Sequence, residues 1–147
     1  MLNYDNIVFQ DNLKIPTTQN MNCIQFCVVY LADKFGIPLS KFNWHHFEYS
    51  RNWFYGDTNF IFRSLLQFFR DNQDLVYIKK IILNGNCDND TILIYRYPSM
   101  KWLHHAGMYN NGDILHCLPP RGIRITPFSK NLFYKGCVGL WVKPSTR

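Results

Sequence analysis

Cysteine and histidine are the residue types in this sequence whose positions could support catalysis. Cys23 stands at the predicted start of a helix, directly after Asn22, a residue type that caps helix N-termini. Backbone N–H groups and the helix dipole stabilise negative charge there, and thus the thiolate, which is the nucleophilic form of cysteine. Cys27 lies one turn further along, where this effect has faded, and we interpret it as a core residue.

A cysteine nucleophile needs a general base, normally a histidine. Asn111-Gly112 predicts a two-residue hairpin turn, and that turn pairs Gly107 with His116. His105 lies two residues from Gly107, so it projects from the same face as His116, roughly 7–8 Å away as a diagonal neighbour. His104 points the other way. The spacing therefore predicts that His105 and His116 meet on one face of a sheet.

The elements that carry these residues are predicted from periodicity and from stop signals. One helix begins after Asn22 and ends at Gly36, and a second extends from Asp57 or Thr58 to about Asn72. The pattern then changes to a period of two, which is typical of strands. Helices followed by a run of antiparallel strands predict an α+β fold. The predicted strands are Leu75–Leu83, Thr91–Tyr95, Leu103–Tyr109, Ile114–Leu118, Gly122–Thr126 and Val138–Val142.

Composition limits the classes of protein to which the chain can belong. Its 147 residues, without repeats or linkers, predict a single domain over residues 1–147, with a core over about 20–143. No apolar run is long enough to span a membrane, and the N-terminus lacks a leader pattern, so we expect synthesis in a cytoplasm without conventional export. Five cysteines without a CxxC pair argue against a disulfide framework. The net charge of +6 favours anionic partners, but no basic run indicates a nucleic-acid-binding arm.

The motifs around these residues resemble the NlpC family of papain-like cysteine peptidases. That family has a Cys at the start of a buried helix that ends in a phrase like Gly-Ile-x-Leu, here Gly36-Ile37-Pro38-Leu39. A strand beginning with His follows, here His105-Ala106-Gly107-Met108-Tyr109, and a later strand ends in His, here Ile114-Leu115-His116. The aromatic segment Trp53–Phe60 before the second helix is similar to the branch found in tail-assembly proteins of lambda-like phages.

The resemblance implies a papain-like NlpC fold and a cysteine endopeptidase that hydrolyses peptide bonds in the stem peptides of peptidoglycan. Cys23 would be the nucleophile, His105 the base, and His116 the residue that orients and polarises His105. No cofactor or metal is implied. The expected partners are the peptidoglycan substrate and other phage tail-tip proteins, with neither nucleic acid nor a membrane span. The expected location is the virion tail, acting at the bacterial cell wall.

Three alternatives remain open from the sequence. The family's usual Asp-Cys-Ser-Gly is Asn22-Cys23-Ile24-Gln25 here, which favours a catalytically silent structural tail-tip protein with the same fold. A lipid acyltransferase could use the same Cys–His pair. Zinc binding by His104, His105, His116 and Cys117 is a further alternative, although its spacing matches no familiar zinc site.

Aromatic residues are dense between Trp44 and Tyr55. We expect this segment either to wall a substrate cleft or contact a partner, or to form a satellite core beneath a loop. We expect His105 and His116 to line the same groove as Cys23, and His45 and His46, in the aromatic segment, to lie outside that groove.

Overall fold

The computed structural model describes residues 2–10, 13–44, 58–83, 87–96, 104–119, 122–128 and 137–145. Within them it contains two α-helices, α1 (Cys23–Phe35) and α2 (Thr58–Asp71), and two single 3-10 turns, Tyr4–Asn6 and Leu39–Lys41. In the described part of the chain, neither helix has the length and apolar composition needed to cross a membrane.

Helix α1 begins and ends where its capping residues predict. The Asn22 side chain accepts a hydrogen bond from the Gln25 backbone N–H, and the Gln25 side chain accepts one from the Asn22 N–H, which completes a capping box. Gly36 terminates the helix with φ 71°, a left-handed conformation that glycine adopts without strain. Every residue from Cys23 to Ala32 is buried, so α1 is the central helix of the core.

Helix α2 contributes one apolar face. Its buried side chains recur at helical spacing, whereas Arg63 and Arg70 are exposed. Phe68 stacks on Phe42 with ring centroids 5.6 Å apart and lies 5.0 Å from the ring of Trp44. Trp44 is buried and belongs to the main core, so at this position the aromatic segment neither walls an exposed cleft nor forms a separate satellite core. The other members of the aromatic segment, including Trp53 and Tyr55, lie outside the described residues.

Eight strands form one sheet in the order β2-β1-β7-β6-β5-β4-β8-β3. All ladders are antiparallel except that between β1 and β2. The α+β class predicted from the sequence is confirmed, and each of the six predicted strands is present within a few residues of its predicted bounds. The two short strands near the N-terminus were not predicted. The strands are β1 (Val8–Phe9), β2 (Asn20–Met21), β3 (Val76–Leu83), β4 (Thr91–Arg96), β5 (His104–Asn110), β6 (Asp113–Leu118), β7 (Gly122–Pro127) and β8 (Val138–Pro144).

Helices and sheet share one main core, because both helices pack against the same sheet face. Ala106 and Met108 of β5 and Cys117 of β6 belong to the cluster that contains the buried residues of α1 and α2. A smaller cluster, centred on Leu93, Tyr95, Ile114 and Cys137, contains no helical residue. Since successive strand residues point to opposite faces, the two clusters define a helix face and an outer face of the sheet.

Candidate active site

Cys23 is the first residue of α1, and its side chain is fully buried on the helix face of the sheet. It lies near two other buried thiols, Cys27 and Cys117, and raises the pKa of each. The larger cause of both increases is burial, which disfavours a charged thiolate.

The four thiols other than Cys23 have raised pKa values. Burial is the largest cause for Cys27, Cys87, Cys117 and Cys137, and it brings the pKa of Cys137 to about 12. These four side chains are therefore thiols rather than thiolates at neutral pH, and poor nucleophiles. Cys27 is a buried core residue, as the sequence predicts.

The hairpin that carries the two candidate histidines has the predicted register. Asn111 and Gly112 form its two-residue turn, both with positive φ. The ladder pairs Met108 with Leu115, as the turn type requires. A Cβ at Gly107 would lie 3.1 Å from the Cβ of His116, which is closer than such atoms normally approach. The glycine therefore allows the backbone of β5 to pack this close to His116.

The structure brings His105 and His116 together on the outer face. Their ring centroids are 6.0 Å apart and the rings meet edge to face at 82°. Both side chains are fully buried. Tyr95 of β4 pairs directly with His105 in the ladder, and its ring lies 6.2 Å from His105 and 6.1 Å from His116. The predicted convergence of the two histidines is confirmed, and a tyrosine joins them.

Two hydroxyl groups hold the His116 ring. Tyr95 Oη lies 2.9 Å from Nδ1, and Thr126 Oγ1 of β7 lies 2.8 Å from Nε2. Burial, and to a smaller extent the charge of Arg124, its ladder partner, together lower the pKa of His116 from 6.5 to about 4. The ring is therefore neutral at pH 7. A neutral imidazole has one donor and one acceptor nitrogen, so one hydroxyl donates to the ring and the other accepts from it.

This arrangement bears on the predicted role of His116. A residue that polarises His105 through a hydrogen bond has to offer it a ring nitrogen, but both nitrogens of His116 bond to hydroxyls. His116 therefore acts on His105 through the contact between their rings. Its effect is to fix the position of the His105 ring within the outer-face cluster.

Strand alternation separates the candidate nucleophile from the histidine pair. His116 and Cys117 are neighbours on β6, so their side chains leave opposite faces of the sheet. Cys117 lies near Cys23 on the helix face, and His116 meets His105 on the outer face. The structure thus unites His105 with His116 but places Cys23 in the other cluster. The prediction that the two histidines line the same groove as Cys23 is therefore wrong, because the register of β5 and β6 turns both rings to the face opposite α1.

The zinc alternative gains no support from the described side chains, among which no three potential ligands are placed to hold a metal ion. His116 and Cys117 cannot converge on one ion because they point to opposite faces. The side chain of His104 and all of residues 45 and 46 lie outside the described parts of the chain, so the predictions for them stay predictions.

Tyr95 and Thr126 are the site residues that sequence analysis missed. Tyr95 was assigned to a strand and Thr126 to another, but neither lies near a histidine in the sequence. A usable signal existed for Tyr95, because β4 and β5 are consecutive strands and an antiparallel register would have placed it opposite His105. No such signal pointed to Thr126 as a ligand of an imidazole.

The sequence was compared with known proteins. No protein-family model matches it, and no curated protein matches it.

Proposed function

We propose that the chain is a phage tail-associated cysteine peptidase with a papain-like NlpC fold, which hydrolyses peptide bonds in peptidoglycan stem peptides. Cys23 is its nucleophile, a histidine at the start of β5 is its general base, and His116 positions the ring of His105. The observation that carries the proposal is a buried thiol at the capped N-terminus of a helix that packs on a sheet whose strand β5 begins with two histidines, His104 and His105.

Helix placement supports Cys23 as the nucleophile. It occupies the first position of α1, where backbone N–H groups and the helix dipole favour a thiolate. The other cysteine of this helix, Cys27, lies one turn further from the N-terminus, where the effect of the dipole has faded. The same helix N-terminus offers backbone N–H groups to the oxyanion that forms when the thiolate attacks a carbonyl.

The proposed reaction has two stages. The base takes the thiol proton of Cys23, the thiolate attacks the peptide carbonyl, and the resulting imidazolium gives that proton to the departing amine as the acyl-enzyme forms. The same imidazole then deprotonates a water molecule, which hydrolyses the thioester and releases the acid, and the proton returns to the Cys23 sulfur. His116 does not titrate near neutral pH, because its pKa is about 4, so it holds the His105 ring without exchanging protons.

The proposal requires an imidazole to reach Cys23 at the beginning of β5. His105 is the second residue of this strand, but its ring is buried on the outer face beside Tyr95 and His116, so it does not face Cys23 in this arrangement. Position 104, which starts the strand, has the parity of Ala106 and Met108, two residues of the helix face. Substitution of each histidine separately therefore decides which one is the base.

Release of new amino groups from purified peptidoglycan tests the proposal. We expect turnover by the wild-type chain and none by Cys23→Ala. The matched control is Cys27→Ala, which removes a second buried thiol from the same helix and should retain turnover. Loss of the base should reduce the rate by at least about 100-fold. From the parity of position 104 we expect this loss in His104→Ala, and a smaller effect in His105→Ala, because the His105 ring lies on the outer face.

Three outcomes contradict parts of the proposal. If neither His104→Ala nor His105→Ala reduces turnover, the base is not a histidine of β5. If Cys23→Ala retains turnover, the cysteine mechanism is wrong. Label from phospholipid, rather than from a muropeptide, on Cys23 would establish the acyltransferase alternative.

A specific observation favours a second candidate, a structural tail-tip protein that keeps the fold without turnover. Cys23, His105 and His116 are all fully buried, and the outer-face cluster resembles a sealed core more than an open groove. Intact peptidoglycan after prolonged incubation with folded wild-type chain, together with incorporation of the chain into tails, would support this candidate.

A further inference from the structure

Strands β3 and β8 present a cluster of lysines around one indole ring. The ladder between them shifts register between Ile78 and Lys80, so that two consecutive lysines stand opposite a single residue, Trp141. The shift is a β-bulge, and bulges redirect side chains at functional sites. We define the lysine–indole site as Lys79, Lys80, Lys143 and Trp141.

The positions of the ammonium groups are set by the ladder and by the indole. Lys79 Nζ lies 4.7 Å from the centroid of the Trp141 ring, and Lys143 Nζ lies 5.6 Å from it. Cation–π attraction holds ammonium groups at such distances. Lys143 is two residues from Trp141 on β8, so both side chains leave the same face of the sheet.

The ammonium groups are close enough to repel one another. The neighbouring Lys143 lowers the pKa of Lys79, and Lys80 lowers it further. Neither β3 nor β8 contains an acidic residue that could compensate this charge. The cluster therefore concentrates positive charge that an external anion would neutralise.

Protection of an edge strand explains part of this arrangement. Lysines and bulges keep exposed edges from pairing with other chains, and β3 is the last strand of the sheet. That role accounts for Lys79 and Lys80 on β3. It does not explain why Lys79 and Lys143, from two different strands, converge on the same indole ring.

We propose that the lysine–indole site binds a phosphate-rich polymer. A phosphate polymer repeats one negative charge at each phosphate along its chain, so a single molecule can neutralise several neighbouring ammonium groups, and lysine binds each phosphate as a point charge. The indole already has ammonium groups over its ring, so stacking of a nucleobase would have to displace one of them. This favours a polymer without bases, and the inference is independent of the proposed hydrolase function.

Titration calorimetry with the full chain tests the site. The probes are linear inorganic polyphosphate and poly(glycerol phosphate), which distinguish a soluble polyphosphate from a wall-type polymer, and a single-stranded oligonucleotide with the same number of phosphates. We expect at least one base-free probe to bind more tightly than the oligonucleotide, and to bind more weakly as salt increases from about 50 to about 200 mM.

A charge-matched pair of variants locates the binding. Lys79→Gln/Lys143→Gln should weaken binding at least about tenfold, because charge-assisted contacts are the strong ones. The control, Lys14→Gln/Lys41→Gln, removes the same two charges from exposed positions outside β3 and β8 and should change affinity less than about twofold. Thermal unfolding verifies that each variant folds, and Lys79→Gln alone replaces the site variant if it does not.

Equal weakening by both double variants would overturn the proposal, because binding would then depend on net charge alone. Tighter binding of the oligonucleotide would also overturn it, in favour of nucleic acid. Absence of binding by both base-free probes at low salt has the same consequence.

Discussion

Lowering the pH from 7 to 4 should destabilise this fold through protonation of His116. Its side chain is fully buried, both ring nitrogens bond to hydroxyls, and its pKa is lowered from 6.5 to about 4. The unfolded chain therefore binds a proton on this residue at higher pH than the folded chain does. Stability from His116 is fully present above about pH 6.5 and is lost as the pH falls towards 4.

The size of this effect follows from the same values. A pKa difference between 6.5 and about 4, at about 1.36 kcal/mol per pH unit, corresponds to about 3 kcal/mol of unfolding free energy. The total stability of a domain is about 5–15 kcal/mol, so this loss is a large fraction of it. Urea unfolding followed by circular dichroism at several pH values between 7 and 4 measures it.

His116→Gln isolates the contribution of the imidazole. Glutamine offers one donor and one acceptor, as the neutral ring does, but it does not titrate. Other groups titrate in both proteins, so the stability difference between wild type and variant should shrink or reverse by about 3 kcal/mol as the pH falls from 7 to 4. Parallel stability curves for the two proteins would refute the reasoning, as would an NMR titration of His116 with a pKa near 6.5.

Three further substitutions test local interactions. Tyr95→Phe should cost about 1–3 kcal/mol of unfolding free energy in denaturant titrations, because it leaves a buried nitrogen of His116 without its hydroxyl partner. It should also alter the ¹⁵N chemical shifts of the His116 ring, and unchanged shifts would contradict the hydrogen bond. Asn22→Ala should cost about 1 kcal/mol in the same assay, since it removes the cap of α1; a neutral effect would mean that the cap is dispensable. Gly122→Ala should lower the melting temperature, because a Cβ at this position would collide with the carbonyl oxygen of Ile7. The expected loss of unfolding free energy is about 1–3 kcal/mol. An unchanged melting temperature would contradict this packing.

Elements governed by neighbouring residues could be predicted from the sequence. The start of α1 depends on Asn22 and its end on Gly36, and both act within one helical turn. The hairpin register depends on Asn111-Gly112, since a two-residue turn leaves one pairing of its flanks. The meeting of His105 and His116 follows from that register alone.

The sheet order depended on contacts between distant segments. Strand β8 lies between β4 and β3, and β1 lies beside β7, although these pairs are far apart in the sequence. No turn type specifies such neighbours, so they form only when the whole core packs. The short strands β1 and β2 were missed for the same reason, because two residues carry no periodic signal.

The candidate site likewise combines features that local sequence determines with features that depend on tertiary contacts. Residue types and spacing by themselves determined which cysteine begins a helix and which histidines share a face, because capping and strand alternation are local rules. Only the tertiary structure decided that α1 packs on the face opposite His116, and that hydroxyls from β4 and β7 hold its ring. Those contacts join Tyr95 and Thr126 to His116 across strand ladders, and burial by the assembled core is what lowers the pKa of that histidine.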